Sequence, residues 1–182
     1  PHASLLPAPE NRPMKRLVVL LGLLALGGCA TAQRFDAASD VHALLVSIRD
    51  DDPAAFERHV DRPALKRQIE ARMMGEARKA GAGDGLAAFG AILAPALADI
   101  AGDALIRPRV FRSVAAYYGY DAATPIPGPM VIGSQLKPLG EGQVCATRKK
   151  DGPCLLTFTQ EAGTWRLSGF EGDLSMLRAK GR

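Results

Sequence analysis

Aromatic residues are scarce in this 182-residue chain, at 5% of the total with a single tryptophan. Too few are present to build the stacking platforms that bases or sugars need. Charge of one sign is scarce as well. The formal net charge is +4. Arg12, Lys15, Arg16 and Glu10 all precede Cys29, so the remainder carries only about +2, with both signs interspersed and no long basic block. We therefore expect no nucleic-acid partner. Catalytic signatures are missing too: there is no Gly-x-Ser-x-Gly, no metal-binding His pair and no Cys-x-x-Cys. Gly81-Ala82-Gly83-Asp84-Gly85 lacks the preceding strand and the Lys-Ser/Thr ending of a phosphate loop. Asp50-Asp51-Asp52 lacks the alternating ligands and terminal Glu of a calcium loop and reads as helix capping. We expect no cofactor, no metal and no enzymatic activity.

Leu17 to Leu26 is an apolar run of ten residues, too short for a bilayer span, which needs about 20. It has the length of a signal-peptide core, and Lys15-Arg16 before it supplies the charged start. Leu26-Gly27-Gly28-Cys29 closes it. The segment from Met14 to Cys29 resembles the signal of a bacterial lipoprotein. That resemblance implies cleavage between Gly28 and Cys29, diacylglycerol on the Cys29 sulfur and an acyl chain (palmitate) on the new amino group. One chain anchors only marginally, so several are needed. Ala30 follows the cysteine in place of the Asp that retains lipoproteins in the inner membrane. The expected location is therefore the outer membrane, lipid-anchored on its periplasmic side after export through the inner membrane. Residues 1–13 read as a disordered upstream extension, 14–28 as the signal, 29–39 as a tether and 40–182 as one domain.

With Cys29 lipidated, Cys145 and Cys154 remain. An even count in an oxidising compartment favours a disulfide. The turn-like stretch Arg148 to Pro153 between them allows a hairpin that brings them into range. The other reading is two reduced, half-buried thiols in neighbouring strands.

Val41, Leu44, Leu45 and Ile48 form a helical stripe. Asp52-Pro53 reads as an N-cap followed by proline at the first helical position, with Phe56 and Val60 buried beyond it. Asp61-Arg62-Pro63 restarts a helix whose Leu65, Ile69, Met73 and Ala77 face the core. Ala80 to Gly85 is a glycine-rich break. Leu86 to Ile106 is strongly apolar, but Pro95, Asp99 and Asp103 argue against a membrane span; it reads as one kinked helix or two successive ones. A short helix over Arg109 to Tyr118 and a loop over Gly119 to Pro129 follow. Met130 to Leu136, Gln143 to Arg148, Cys154 to Gln160 and Trp165 to Phe170 read as strands, with a hairpin at Glu161-Ala162-Gly163-Thr164. Helices (40–118) followed by strands (130–171) indicate an α+β fold, helices packed on a four-stranded antiparallel sheet.

Asp52 to Lys66 resembles the "VDxPxLR" region of a bacterial family known as domain of unknown function 2939. Arg62 stands where that family has an aromatic. Leu86 to Val110 is similar to the family's apolar stretch, closing at Arg107-Pro108-Arg109-Val110. The resemblance covers Asp40 to Tyr118 and implies no activity and no catalytic residues. The order of elements is also similar to the nuclear-transport-factor-like cone fold, an analogy of fold alone.

Arg107, Arg109 and Arg112 are a candidate anion-binding cluster for a phosphate, a lipid headgroup or a partner carboxylate, or else partners of a helix dipole. Asp99 and Asp103, i and i+4, are either a carboxylate pair for a metal or shared proton, or the wet face of a helix. His59 with Asp61 is a candidate acid–base pair, though such residues are more often caps; His42 sits beside the first stripe. Three classes of function stay open: a binding or scaffolding module for an envelope protein, a carrier of a small apolar molecule or lipid, and an enzyme using buried carboxylates. A closed cavity lined by Leu, Ile and Met would favour the carrier. An enclosed Asp or His with a shifted pKa would favour the enzyme. An exposed apolar patch over a filled core would favour the module.

Overall fold

A computed structural model describes residues 12–79, 84–117, 119–140, 142–147 and 152–171. Side chains are described from residue 31 on, except at 77, 84–92, 94, 98 and 117. The chain divides into two compact units, Pro1–Ala32 and Gln33–Arg182. Helix α1 (Arg12–Asp50) provides the described part of the first unit and the opening helix of the second.

The second unit continues with α2 (Pro53–Arg58), α3 (Arg62–Lys79), α4 (Asp84–Leu105), α5 (Pro108–Tyr117) and α6 (Pro129–Gln135). A sheet of β1 (Leu136–Gly140), β2 (Gln143–Thr147), β3 (Cys154–Glu161) and β4 (Thr164–Phe170) closes the chain. The strands pair antiparallel in sequence order. The fold is α+β, helices first and a four-stranded antiparallel sheet last.

Local chemistry places the breaks. Asp52 caps α2, its carboxylate accepting from the Ala55 N–H with Pro53 at the first turn. Asp61 repeats the device on α3, accepting from the Ala64 N–H at 2.9 Å. Each cap satisfies a donor that the helix itself leaves open. The β3–β4 turn sets Ala162 and Gly163 at φ 49° and 82°, the left-handed pair that a two-residue hairpin requires. β1 is an edge strand, the position in a sheet where a proline such as Pro138 is tolerated.

One apolar core joins α1 (Ala37, Ala38, Val41, Leu44), Phe56 and Val60, α3 (Leu65, Ile69) and the sheet (Val144, Phe158, Trp165, Leu167). The β4 edge is covered by polar partners. Val60 forms a parallel bridge to Leu167. The Leu167 N–H donates to the His59 carbonyl, and the Asp61 N–H donates to the Leu167 carbonyl. The Gln68 carboxamide takes both backbone groups of Phe170. The Trp165 N–H donates to Asp40 at 2.8 Å, and its indole N–H donates to Asp36 at 2.8 Å.

Three expectations need correction. The tether over 29–39 is helical and belongs to α1, and from Gln33 it is part of the second unit. Ala37 and Ala38 are fully buried because their small side chains let the helix approach closely. Met130 to Leu136 is not a strand: α6 occupies it, and the first strand begins at Leu136. Gly128-Pro129 pre-sets a helical first turn. Ile132, Gly133 and Leu136 are buried while Met130 and Val131 are exposed, a helical spacing and not an alternation. Gly133 is seated against the Phe35 ring, which leaves no room for a Cβ. The extension over 1–13 meets helix at Arg12, while residues 1–11 lie outside the described residues, as do 80–83 of the glycine-rich break and 148–151 of the loop between the cysteines. The apolar block is a single helix, α4, with Pro95 inside it. Among the described residues no helix is long and apolar enough to cross a membrane.

Asp40→Ala should lower the unfolding free energy by about 1–3 kcal/mol, because it leaves the buried Trp165 N–H without a partner. Ser39→Ala, one residue away and exposed, should change it by less than about 0.5 kcal/mol. Urea denaturation of the two variants checks this; equal shifts would contradict the role given to Asp40.

Candidate functional site

A cavity of about 310 Å³ lies between α1 and the sheet. Val41, Leu44, Leu45 and Ile48 form its α1 wall, and Leu136, Ala146, Leu156, Phe158 and Leu167 form its sheet wall. Phe111 of α5, Val131 and Ile132 of α6, and Tyr120 and Pro127 of the intervening loop complete the apolar lining. The stripe that reads as core in the sequence is therefore only partly packed: Leu44 is buried, while Leu45 and Ile48 are half-buried. Leu167, Phe158 and Leu136 are nearly inaccessible, whereas Tyr120 and Val131 are exposed at the mouth.

The rim is held from both sides. The His42 ring nitrogen Nδ1 donates to the Pro127 carbonyl at 2.9 Å, tying the loop to α1. Phe111 packs edge-on against buried Phe56, ring centroids 5.3 Å apart. The sheet wall is stapled where β2 meets β3, since Cys145 and Cys154 form a disulfide with Cα atoms 5.5 Å apart.

The sequence candidates fall elsewhere. Arg107 donates to the Asp103 carbonyl at the end of α4. Arg112 reaches the Arg49 carbonyl at 3.3 Å and the Asp51 carboxylate at 3.4 Å. Arg109 is exposed. Two of the three guanidiniums are thus turned to helix-end carbonyls, as the helix dipole favours. Asp99 and Asp103 meet Lys66, Asp103 at 2.9 Å, and Arg62 approaches Asp103 at 3.5 Å while pairing with Glu57. The Lys66 hydrogen bond holds the Asp103 carboxyl below the usual carboxylate range. Among the described residues no three His, Cys, Asp or Glu converge as metal ligands. Gly28 and Cys29 have no described side chains and lie outside this account.

His59 faces Asp40 at 3.6 Å. Asp61 does not pair with it, being occupied as the α3 cap. The His59 Nδ1 is buried without a hydrogen-bond partner, and His59 does not line the cavity.

The cavity residues Tyr120, Pro127, Val131, Gln135 and Thr147 escape sequence reading because they sit in a loop, a misread strand and a strand end. The available signal was the width of the α1 stripe: Leu44 and Leu45 together cover more face than one packing partner requires.

Fold and site define an α+β domain with an apolar cavity between helix and sheet. A family model described as "Protein of unknown function (DUF2939)" matches residues 20–114. The chain belongs to this family. The match starts earlier than the resemblance read from Asp40, inside the N-terminal apolar run, and stops within α5 before any strand. No curated protein and no solved structure matches the chain.

Burial holds the His59 imidazole below its ordinary value of 6.5, with the Asp40 carboxylate acting in the opposite sense. The folded state therefore favours the neutral ring, and on acidification the unfolded chain takes up the proton first. The contribution is complete above 6.5 and is lost as pH falls from there toward the lowered folded value. Urea midpoints should decline between about pH 7 and pH 5, and His59→Gln should flatten the decline. Parallel curves for the two proteins would contradict this assignment.

Proposed function

We propose that this chain is an exported lipoprotein, anchored through Cys29 on the periplasmic side of the outer membrane, whose domain binds a small apolar molecule beneath α1. The single observation that carries the binding role is the apolar cavity, a concave site of the kind that takes small ligands. Its size is at the lower end of ligand pockets, which run about 300–1,000 Å³. The anchor is supported by sequence: Lys15-Arg16, the ten-residue apolar run and Leu26-Gly27-Gly28-Cys29. Residues 30–32 lie between the lipidated residue and Gln33, where the second unit begins. The cone-like reading of the fold belongs to the same proposal, helices laid over a sheet with a pocket between them.

A second reading is favoured by one observation. Leu93, Leu97 and Ile100 are exposed on α4 at helical spacing, and an envelope protein docked there would make the domain a scaffolding module.

Two experiments test the proposal. Intact mass of envelope-derived protein should show a chain starting at an acylated Cys29, and Cys29→Ala should abolish both the acylation and membrane partitioning; an unacylated wild-type chain would remove the anchor. The uncharged fluorophore N-phenyl-1-naphthylamine should bind the wild-type chain with enhanced emission. Leu45→Phe combined with Ala146→Leu fills the cavity and should weaken binding at least about tenfold, as expected when a pocket's free volume is removed. Unchanged affinity would contradict cavity binding.

A further inference from the structure

We infer that the cavity selects a single-chain amphiphile with an uncharged hydrogen-bonding head, such as an alcohol, ester or amide. This rests on the cavity reading above and adds the ligand class. Three observations carry it.

The first is the distribution of polarity. The deep lining residues Leu44, Phe158 and Leu167 are apolar and nearly inaccessible. The polar lining residues are Tyr120, Gln135 and Thr147. Tyr120 and Gln135 are exposed and Thr147 is half-buried at the end of β2. An occupant therefore meets hydrocarbon inside and hydrogen-bonding groups at the outer end.

The second is a built pair of polar groups. β1 and β2 pair Leu136 with Ala146 in antiparallel register. Just beyond that pair, Gln135, the last residue of α6, and Thr147, at the end of β2, both line the cavity. Among the described residues neither the carboxamide nor the hydroxyl has a hydrogen-bond partner. The pair offers two amide donors, an amide acceptor and a hydroxyl.

The third is charge and size. Among the described residues no Asp, Glu, His, Lys or Arg lines the cavity. A carboxylate or ammonium drawn into this mouth would lose water without gaining a counter-charge, whereas a neutral head loses less and is met by Gln135 and Thr147. About 310 Å³ holds one chain and not two.

The test uses the full chain with N-phenyl-1-naphthylamine bound, titrated below self-association with three competitors: 1-monodecanoylglycerol, decanoate at pH 8 and didecanoylglycerol. Monodecanoylglycerol should displace the probe, decanoate should need at least tenfold more, and didecanoylglycerol should not compete. Gln135→Leu with Thr147→Val should weaken monodecanoylglycerol at least tenfold relative to the probe, read as the ratio of the two affinities measured in the same variant. Gln135→Lys, at an exposed position, should improve decanoate at least tenfold. Probe binding that monodecanoylglycerol cannot displace, or displaces equally from the double variant, overturns the head-group inference and leaves apolar binding standing. Equal competition by decanoate or by the two-chain lipid overturns the neutral head or the single chain. Absence of probe binding to wild type overturns the cavity reading and this inference with it.

Discussion

The open edge of β4 is the constraint on which the second unit is built. A sheet edge presents unpaired backbone groups that must be satisfied or covered, and here a different segment meets each stretch of it. Asp40 of α1 takes the Trp165 N–H, the His59–Asp61 segment takes both groups of Leu167, and Gln68 of α3 takes both groups of Phe170. Arg72 adds a bond to the Phe170 carbonyl and stacks its guanidinium 4.7 Å from the Phe170 ring. α1 and α3 are therefore fixed to one strand by directional bonds as well as by apolar contact.

The same constraint makes the family's sequence signature intelligible. In Val60-Asp61-Arg62-Pro63-Ala64-Leu65-Lys66, Val60 bridges to Leu167 and is buried, Asp61 caps α3 and donates its N–H to β4, and Leu65 enters the core. Arg62 reaches the Ile106 carbonyl at the C-terminal end of α4, where a cation meets the negative end of the helix dipole. Lys66 meets Asp99 and Asp103 one helix away. The motif is a joint between sheet, α3 and α4. It explains why the residues most recognisable in the sequence are remote from the cavity. With α1 held by Asp36 and Asp40 at β4, the farther part of the helix, toward Ile48, stands over β1–β3 with α5, α6 and the Tyr120–Pro127 loop around it, and the cavity is the space these elements leave.

Much of this was legible where the signal is local. Asp52-Pro53 and Asp61 place two helix starts correctly because capping needs only neighbouring residues. The Ala162-Gly163 hairpin and three of the four strands follow from turn chemistry and alternation. Local rules fail where tertiary contact decides. Met130 to Gln135 carries strand-like residues, yet Phe35 packs on Gly133 and selects a helix. Gln33 to Ser39 has too few large apolar residues to announce a core helix, but its alanines and Asp36 are specified by Trp165, more than a hundred residues away. The candidate site was least legible of all. An unfilled volume has no periodicity, and Gln135 and Thr147 acquire meaning only when the fold brings the end of α6 and the end of β2 to one cavity.

The most direct measurement is a methyl-resolved NMR titration of the full chain with N-phenyl-1-naphthylamine. The account predicts shifts at Leu44, Leu45, Ile48, Ile132, Leu136 and Leu156, which line the cavity on four elements. Leu93, Leu97 and Ile100 on the exposed face of α4 should stay unmoved. Shifts confined to those three α4 residues, with the cavity methyls unchanged, would contradict it.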